Sequence, residues 1–354
     1  MMVPLLNRSK KLPYEDKVIA GYIDRSAVIG YNYTLKPNVF GIRKRCVMKN
    51  YYIEKIKAAR RNGTLLAGAK RVLFRFWRIY FIKNAGILEL QHRDMLYRKL
   101  FRKYRSIIAA ANHKTSEEAE FPKIAWWCWF QGYDQAPELV KSCHESIKRN
   151  MPGYEIRIIT FENLFEYVTL PEHITEKFKR GKIGMAHFSD IIRLELLIRY
   201  GGVWVDATVL CTDADMCTVI ERAPLFAYQI SNGMGNNSFA SSWLISAKPN
   251  SPILILTREL LFAYWRTYRT QKHYFLFHLL FSMAVYAFPE IHRRIPAYNN
   301  ASPHALEREL SYEYSEERFV EIKKYASFHK LNFKRAYSQQ RNTFYDVLIK
   351  QRHF

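Results

Sequence analysis

The order strand, helix, strand in the middle of the chain constrains its fold more than any other feature. Lys123 to Phe130 reads KIAWWCWF, a continuous apolar run closed by the loop QGYDQAP. Such a run predicts a strand covered on both faces, so Trp126 and Trp127 must point to opposite sides of a sheet. Behind Pro137, Leu139, Cys143 and Ile147 recur at every fourth position and predict a helix that stops at NMPGY. YEIRIITF, Tyr154 to Phe161, then alternates as a second strand. Two strands joined by a helix imply a parallel pair with a right-handed crossover, hence an α/β architecture.

Further on, AHFSDIIRLELLIRY places Ile191, Leu194, Leu197 and Ile198 on one side of a helix that Gly201 and Gly202 terminate. Val203 to Val205 forms a short inner strand whose carboxyl end delivers Asp206. In open α/β sheets ligands bind beyond the carboxyl ends of the strands, so Trp129 and Asp206 are expected to border one crevice. Asp190 and Arg193 stand three apart and share a helix face. They are either a plain ion pair or a carboxylate and guanidinium that orient a polar ligand. Asp206 either caps a turn or, with Thr208 on the same side two residues later, offers oxygens to a hard cation such as Mg or Mn.

At 354 residues the chain can hold two or three units of roughly 100 to 200 residues each. Its formal net charge is +23. Residues 1–120 contribute most of that excess, with 26 Lys and Arg against 9 Asp and Glu. An anionic partner is expected for this third: lipid head groups, nucleic acid or a polyanion. GAKRVLFRFWRIYFIKNAGI, Gly68 to Ile87, interleaves Arg and aromatics as a helix at an anionic lipid surface would, although a basic helix docked on protein looks the same. Five cysteines without a CxxC pair argue against a disulfide framework or a structural zinc site and suit the cytosol. The longest uncharged stretch, His273 to Pro289, falls short of the ~20 residues of a spanning helix and is expected to be a buried helix, with a membrane-inserted segment as the alternative and His278 a core histidine. NHKTSEEAEFP, Asn112 to Pro122, reads as a linker.

AHFSDIIRLELLIRYGGVWVDATV resembles the central motif of the capsular polysaccharide synthesis proteins, relatives of the A-type (GT-A) glycosyltransferases that include the glucosylating toxins and the initiating mannosyltransferases. KIAWWCWFQGYDQAPELVKSCHESIKRNMPGY, SSWLISAKPNSPIL, YFLFHLLF and FHKLNFK match further blocks in the same order, from Lys123 to Lys334. The resemblance implies a GT-A (Rossmann-like) nucleotide-sugar-binding domain with a mainly parallel central sheet over 121–335; outside it, charge and patterning give a basic, mostly helical and membrane-apposed region over 1–120, and a C-terminal tail remains over 336–354.

It also implies a hexosyltransferase that moves sugar from a nucleotide-sugar donor, expected to be a UDP-sugar, to a lipid-linked or growing glycan. Retention of anomeric configuration and assistance from a divalent metal (Mn or Mg) come with it, and the basic N-terminal third is expected to hold the enzyme at the inner face of the cell membrane. Trp129 matches the aromatic that stacks on the nucleobase, Asp190 and Arg193 the pair that grips ribose and sugar, and Asp206 the first acid of the DxD motif. Thr208 replaces the second acid. His329 as a metal ligand and Lys330 as a phosphate counter-charge are the candidates to complete the shell. Two other classes remain open on the residues alone: a basic nucleic-acid-binding protein, motivated by the charge, and a non-catalytic scaffold, motivated by Thr208. The charge avoids the sheet domain and no nucleic-acid module is recognisable, so no nucleic-acid partner is expected.

Overall fold

The computed structural model describes residues 85–111, 120–230 and 239–354. The elements used below are α1 (Ala85–Ala109), β1 (Ile124–Cys128), α2 (Glu138–Asn150), β2 (Glu155–Ile159), α3 (Met185–Tyr200), β3 (Gly202–Asp206), β4 (Val209–Cys211), α4 (Asp215–Arg222), β5 (Leu225–Gln229), β6 (Ala240–Ala247), α5 (Pro252–Thr267), α6 (Leu276–Ala287) and β7 (Phe328–Lys330).

Five strands form the central sheet in the order β2-β1-β3-β6-β5. β1 pairs in parallel with β2 and β3, as the strand, helix, strand order requires. β6 runs antiparallel to both β3 and β5, so four strands share one direction and β6 alone reverses it. The sheet is thus mainly parallel, with one reversal that local patterning did not foretell. β4 and β7 pair antiparallel in a separate two-stranded sheet beside the carboxyl end of β3.

Apolar side chains cover both faces. Trp126 joins one core with Trp204, helices α3, α5 and α6, and Leu96, Leu100 and Tyr104 of α1. Trp127 joins the other with α2, Ile220 of α4, β4 and Phe328. Both tryptophans are fully buried, each worth on the order of 1.5–3 kcal/mol of apolar transfer. α6 takes up the uncharged stretch from His273 and is buried along most of its length. No described helix is long and apolar enough to cross a membrane.

The turn from α3 to β3 fixes the position of Asp206. Gly201 and Gly202 have φ of 68° and 91°, a region that side chains with a Cβ rarely adopt. A Cβ on Gly202 would stand 2.4 Å from the carbonyl oxygen of Ile124 in the neighbouring strand. Trp126 Nε1 donates to the Gly201 carbonyl at 2.8 Å and ties the turn to β1. Gly202→Ala should therefore cost at least about 2 kcal/mol, because backbone strain and a clash with an immovable strand add. Urea unfolding measures this, and a loss below about 0.5 kcal/mol would contradict it.

Packing moves the expected boundaries. The chain divides between Gln91 and His92, and residues from His92 onward belong to the unit that holds the sheet. Leu96, Leu100 and Tyr104, one helical turn apart, bury in the core, so a boundary at 120 would cut through it. The expected tail after residue 335 also packs: Val347, Leu348 and Ile349 of the π-helical turn Tyr345–Lys350 are buried, and Ser142 Oγ of α2 donates to the Leu348 carbonyl at 3.2 Å. Up to residue 84 the expected basic helix, and over 112–119 the expected linker, lie outside the described residues.

Candidate functional site

Asp206 closes β3, where its Cα pairs in register with that of Cys128 at the end of β1, so Trp129 follows at the same carboxyl edge. Asp206 Oδ1 accepts from Trp204 Nε1 at 2.8 Å and from Arg193 Nη2 at 3.2 Å. Its Oδ2 accepts from Lys330 Nζ at 2.9 Å. The same ammonium donates to Thr208 Oγ1 at 2.7 Å. Lys330 reaches this point because β7 lies on β4 with Lys330 opposite Val209, and the Leu331 amide donates to the Thr208 carbonyl at 2.8 Å.

Arg193 bridges the two acids. Its Nη1 donates to Asp190 Oδ1 at 2.5 Å, while the guanidinium lies 4.9 Å from the Trp204 ring centre and 5.7 Å from that of Phe277. The Arg193 side chain is only 3% exposed. A guanidinium packed between aromatic faces and bonded to two carboxylates is a fixed charge. Its Nε is buried and finds no partner among the described residues. Burial opposes ionisation of Asp206, but the charges of Lys330 and Arg193, with the Lys330 and Trp204 hydrogen bonds, outweigh it and hold the carboxyl below its ordinary value.

Three neighbours were not singled out from the sequence. His187 precedes Asp190 by one helical turn, and its Nδ1 lies 3.3 Å from Asp190 Oδ2. Trp265 Nε1 donates to His187 Nε2 at 3.0 Å, which leaves the ring proton on Nδ1 to donate to the carboxylate. Its spacing of three from Asp190 was a readable signal. Tyr274 is half exposed, and burial of its phenol, then the charges of Asp190 and Asp206, raise it above its ordinary value. Phe333 sets its ring edge-on to Trp129 with centres 5.3 Å apart. Trp129 is half-buried and its Nε1 has no partner among the described residues.

The structure brings together Asp190, Arg193, Asp206, Thr208 and Lys330, with Trp129 at the same edge. It does not bring in His329. Alternation along β7 turns His329 away from Lys330, and its Nε2 lies 3.3 Å from Thr212 Oγ1 in the core. Burial lowers its pKa to about 4, so it is a neutral core histidine. His278, expected in the core, is likewise lowered to about 4 by burial.

The donors around Asp206 do not fit a divalent ion. Lys330 holds the free Asp206 oxygen and the Thr208 hydroxyl, Arg193 and Trp204 hold the other oxygen, and His329 faces elsewhere. Among the described residues, His, Cys, Asp and Glu nowhere gather in a group of three that could hold a metal ion. A hard divalent cation wants several anionic or carbonyl oxygens, not an ammonium at hydrogen-bond distance.

The profile of the family described as "Capsular polysaccharide synthesis protein" matches residues 52–348. The chain belongs to that family. The match begins at residue 52, so the capsular polysaccharide synthesis family takes in much of the basic segment that the quoted blocks had left outside. No curated protein matches this chain. Among solved structures the chain is similar to "PaToxG Glycosyltransferase", with 15% identity over 57% of this chain and 83% of that one and a TM-score of 0.35. It is similar to the glycosyltransferase GlyE of Streptococcus pneumoniae TIGR4 at 10% identity, over 66% of this chain and 60% of that one, with a TM-score of 0.37. For the WbbM bifunctional glycosyltransferase the values are 7%, 68%, 52% and 0.32. Likenesses this partial add nothing to the family assignment.

Proposed function

We propose that this capsular polysaccharide synthesis family member is a glycosyltransferase that moves a hexose from a nucleotide-sugar, with UDP the favoured nucleotide, to a lipid-linked or growing glycan. One observation carries the reading: Asp190, Arg193, Asp206 and Lys330, from a helix, a strand end and a distant hairpin, form one hydrogen-bonded network at the carboxyl edge of the sheet, the edge at which Trp129 follows β1. That edge is where α/β sheets bind their ligands.

Departure of a nucleoside diphosphate leaves negative charge on phosphate and positive charge on the sugar ring. Arg193 and Lys330 supply fixed positive charge for the first, and the two carboxylates can accept from sugar hydroxyls and face the second. Asp206 is ion-paired with Lys330 and Arg193, which outweigh its burial and make it a poor base. This favours attack from the face the diphosphate leaves, so that the departing oxygens take the acceptor's proton and the anomeric configuration is retained. Trp129 offers a flat face to the nucleobase.

A cytoplasmic membrane surface is the place this reading gives the enzyme. Arg98, Lys99, Arg102, Lys103 and Arg105 of α1 are exposed beside Met95 and Phe101, which suits anionic lipid headgroups.

A thermal-shift screen of UDP- and GDP-sugars tests the donor side. A UDP-sugar should raise the Tm most, and Trp129→Leu should weaken that binding roughly tenfold or more, the range of a lost stacking contact. Failure of every nucleotide-sugar to shift the Tm would overturn the reading.

A further inference from the structure

In a DxD arrangement two carboxylates answer the double charge of a metal ion. Here Asp206 carries one charge, Thr208 carries none, and Lys330 bonds to both at 2.9 and 2.7 Å. One negative and one positive charge balance without any further ion. A second carboxylate at 208 would give the ammonium two counter-charges and blunt its attraction for phosphate.

Position and donor count agree with charge. The Lys330 side chain is 20% exposed and that of Asp206 26%, so the pair can be reached from solvent. An ammonium has three N–H donors, and two are committed to Asp206 and Thr208. The third has no partner among the described residues and is left for a phosphate oxygen. Asp206 is itself held from behind by Trp204 and Arg193, so it keeps the ammonium in place.

We propose that the ammonium of Lys330, aimed by Asp206 and Thr208, is the cation this site presents to the donor diphosphate, in the position a divalent ion would take. The inference rests on the nucleotide-sugar reading above, and it makes Thr208 a positioning residue matched to a singly charged partner. The diphosphate then meets Lys330 with no metal between them, and buried Arg193 acts on it through charge alone.

Two measurements on the full chain test it. Electron paramagnetic resonance reads Mn binding to the protein alone, and calorimetry reads UDP and GDP binding with Mn or with EDTA. Wild type should leave Mn free in solution, and its affinity for the bound nucleotide should change less than about twofold between the two conditions. Lys330→Met, which keeps the length and removes the charge, should lose roughly tenfold in EDTA, the scale of one charge-assisted hydrogen bond. Mn binding by wild type that Asp206→Asn abolishes, or nucleotide affinity that collapses in EDTA, would overturn the proposal. If neither nucleotide binds under any condition, the nucleotide-sugar reading fails, and Mn binding to wild type alone still decides whether Asp206 is a metal ligand.

Discussion

Arg193→Ala should lower the stability of the chain by about 3–5 kcal/mol and abolish donor binding, because removing one partner of a buried ion pair leaves its acids uncompensated. Among the described residues Arg193 bridges the two carboxylates, at 2.5 Å to Asp190 and 3.2 Å to Asp206, and its side chain is 3% exposed. Arg193→Lys should recover only part of either property. A lysine cannot bridge two carboxylates with a planar fork or stack on Trp204 and Phe277 in the same way. Urea unfolding with a thermal-shift assay on the nucleotide-sugar checks both halves. An alanine variant within about 1 kcal/mol of wild type would mean the network contributes little to the fold.

Acid should destabilise the chain well above the range in which carboxylates titrate. Burial holds His278, His304 and His329 near a pKa of about 4, with Arg193, Lys330 and Lys323 respectively adding to the shift. An unfolded histidine titrates near 6.5, so between roughly 6.5 and 4 the unfolded state binds more protons than the folded one. Stability is then fully present above this window and is lost as pH falls through it, by a few kcal/mol at about pH 5, a large share of a typical domain's margin. Asp206, with its depressed carboxyl, works in the same direction lower down, where its ion pairs are lost as pH falls through its folded value. Urea midpoints between pH 7.5 and 5 test this. The midpoint should fall steeply, and His329→Gln should flatten the slope by removing one of the three groups. A flat midpoint in wild type would contradict it.

Much of this was legible because the decisive signals are local. The apolar run with adjacent tryptophans can only be an inner strand, and Trp126 and Trp127 do enter opposite cores. The double glycine after α3 marked the turn, and Asp206 follows at the strand end. Long-range placement was less legible. Lys330 meets Asp206 and Thr208 across 124 and 122 residues through the pairing of β7 with β4, and no spacing in the chain encodes that pairing. The resemblance alone pointed to it, and it pointed equally to His329. Alternation along a strand separates those two side chains, so once FHK is a strand only one of them can face the acid.

The same limits account for the boundaries. In α1 the basic residues dominate the sequence and suggest a surface segment, while Leu96, Leu100 and Tyr104 on its other side bury in the sheet's core. At the carboxyl end, Phe344, Val347, Leu348 and Ile349 fill the second core after a polar loop, a cluster too short to announce itself by periodicity. The reversal of β6 depends on how a distant strand returns to the sheet, which local pattern does not specify.

The most direct test of the central claim, that the acid of β3 and the cations around it grip a nucleotide-sugar, is release of nucleoside diphosphate from the stabilising donor. Wild type and Thr218→Ala, an exposed change on α4, should release it at the same rate. Asp206→Asn should be slower by about three orders of magnitude, the scale of losing a preorganised electrostatic contact. Equal release by wild type and Asp206→Asn would contradict the account.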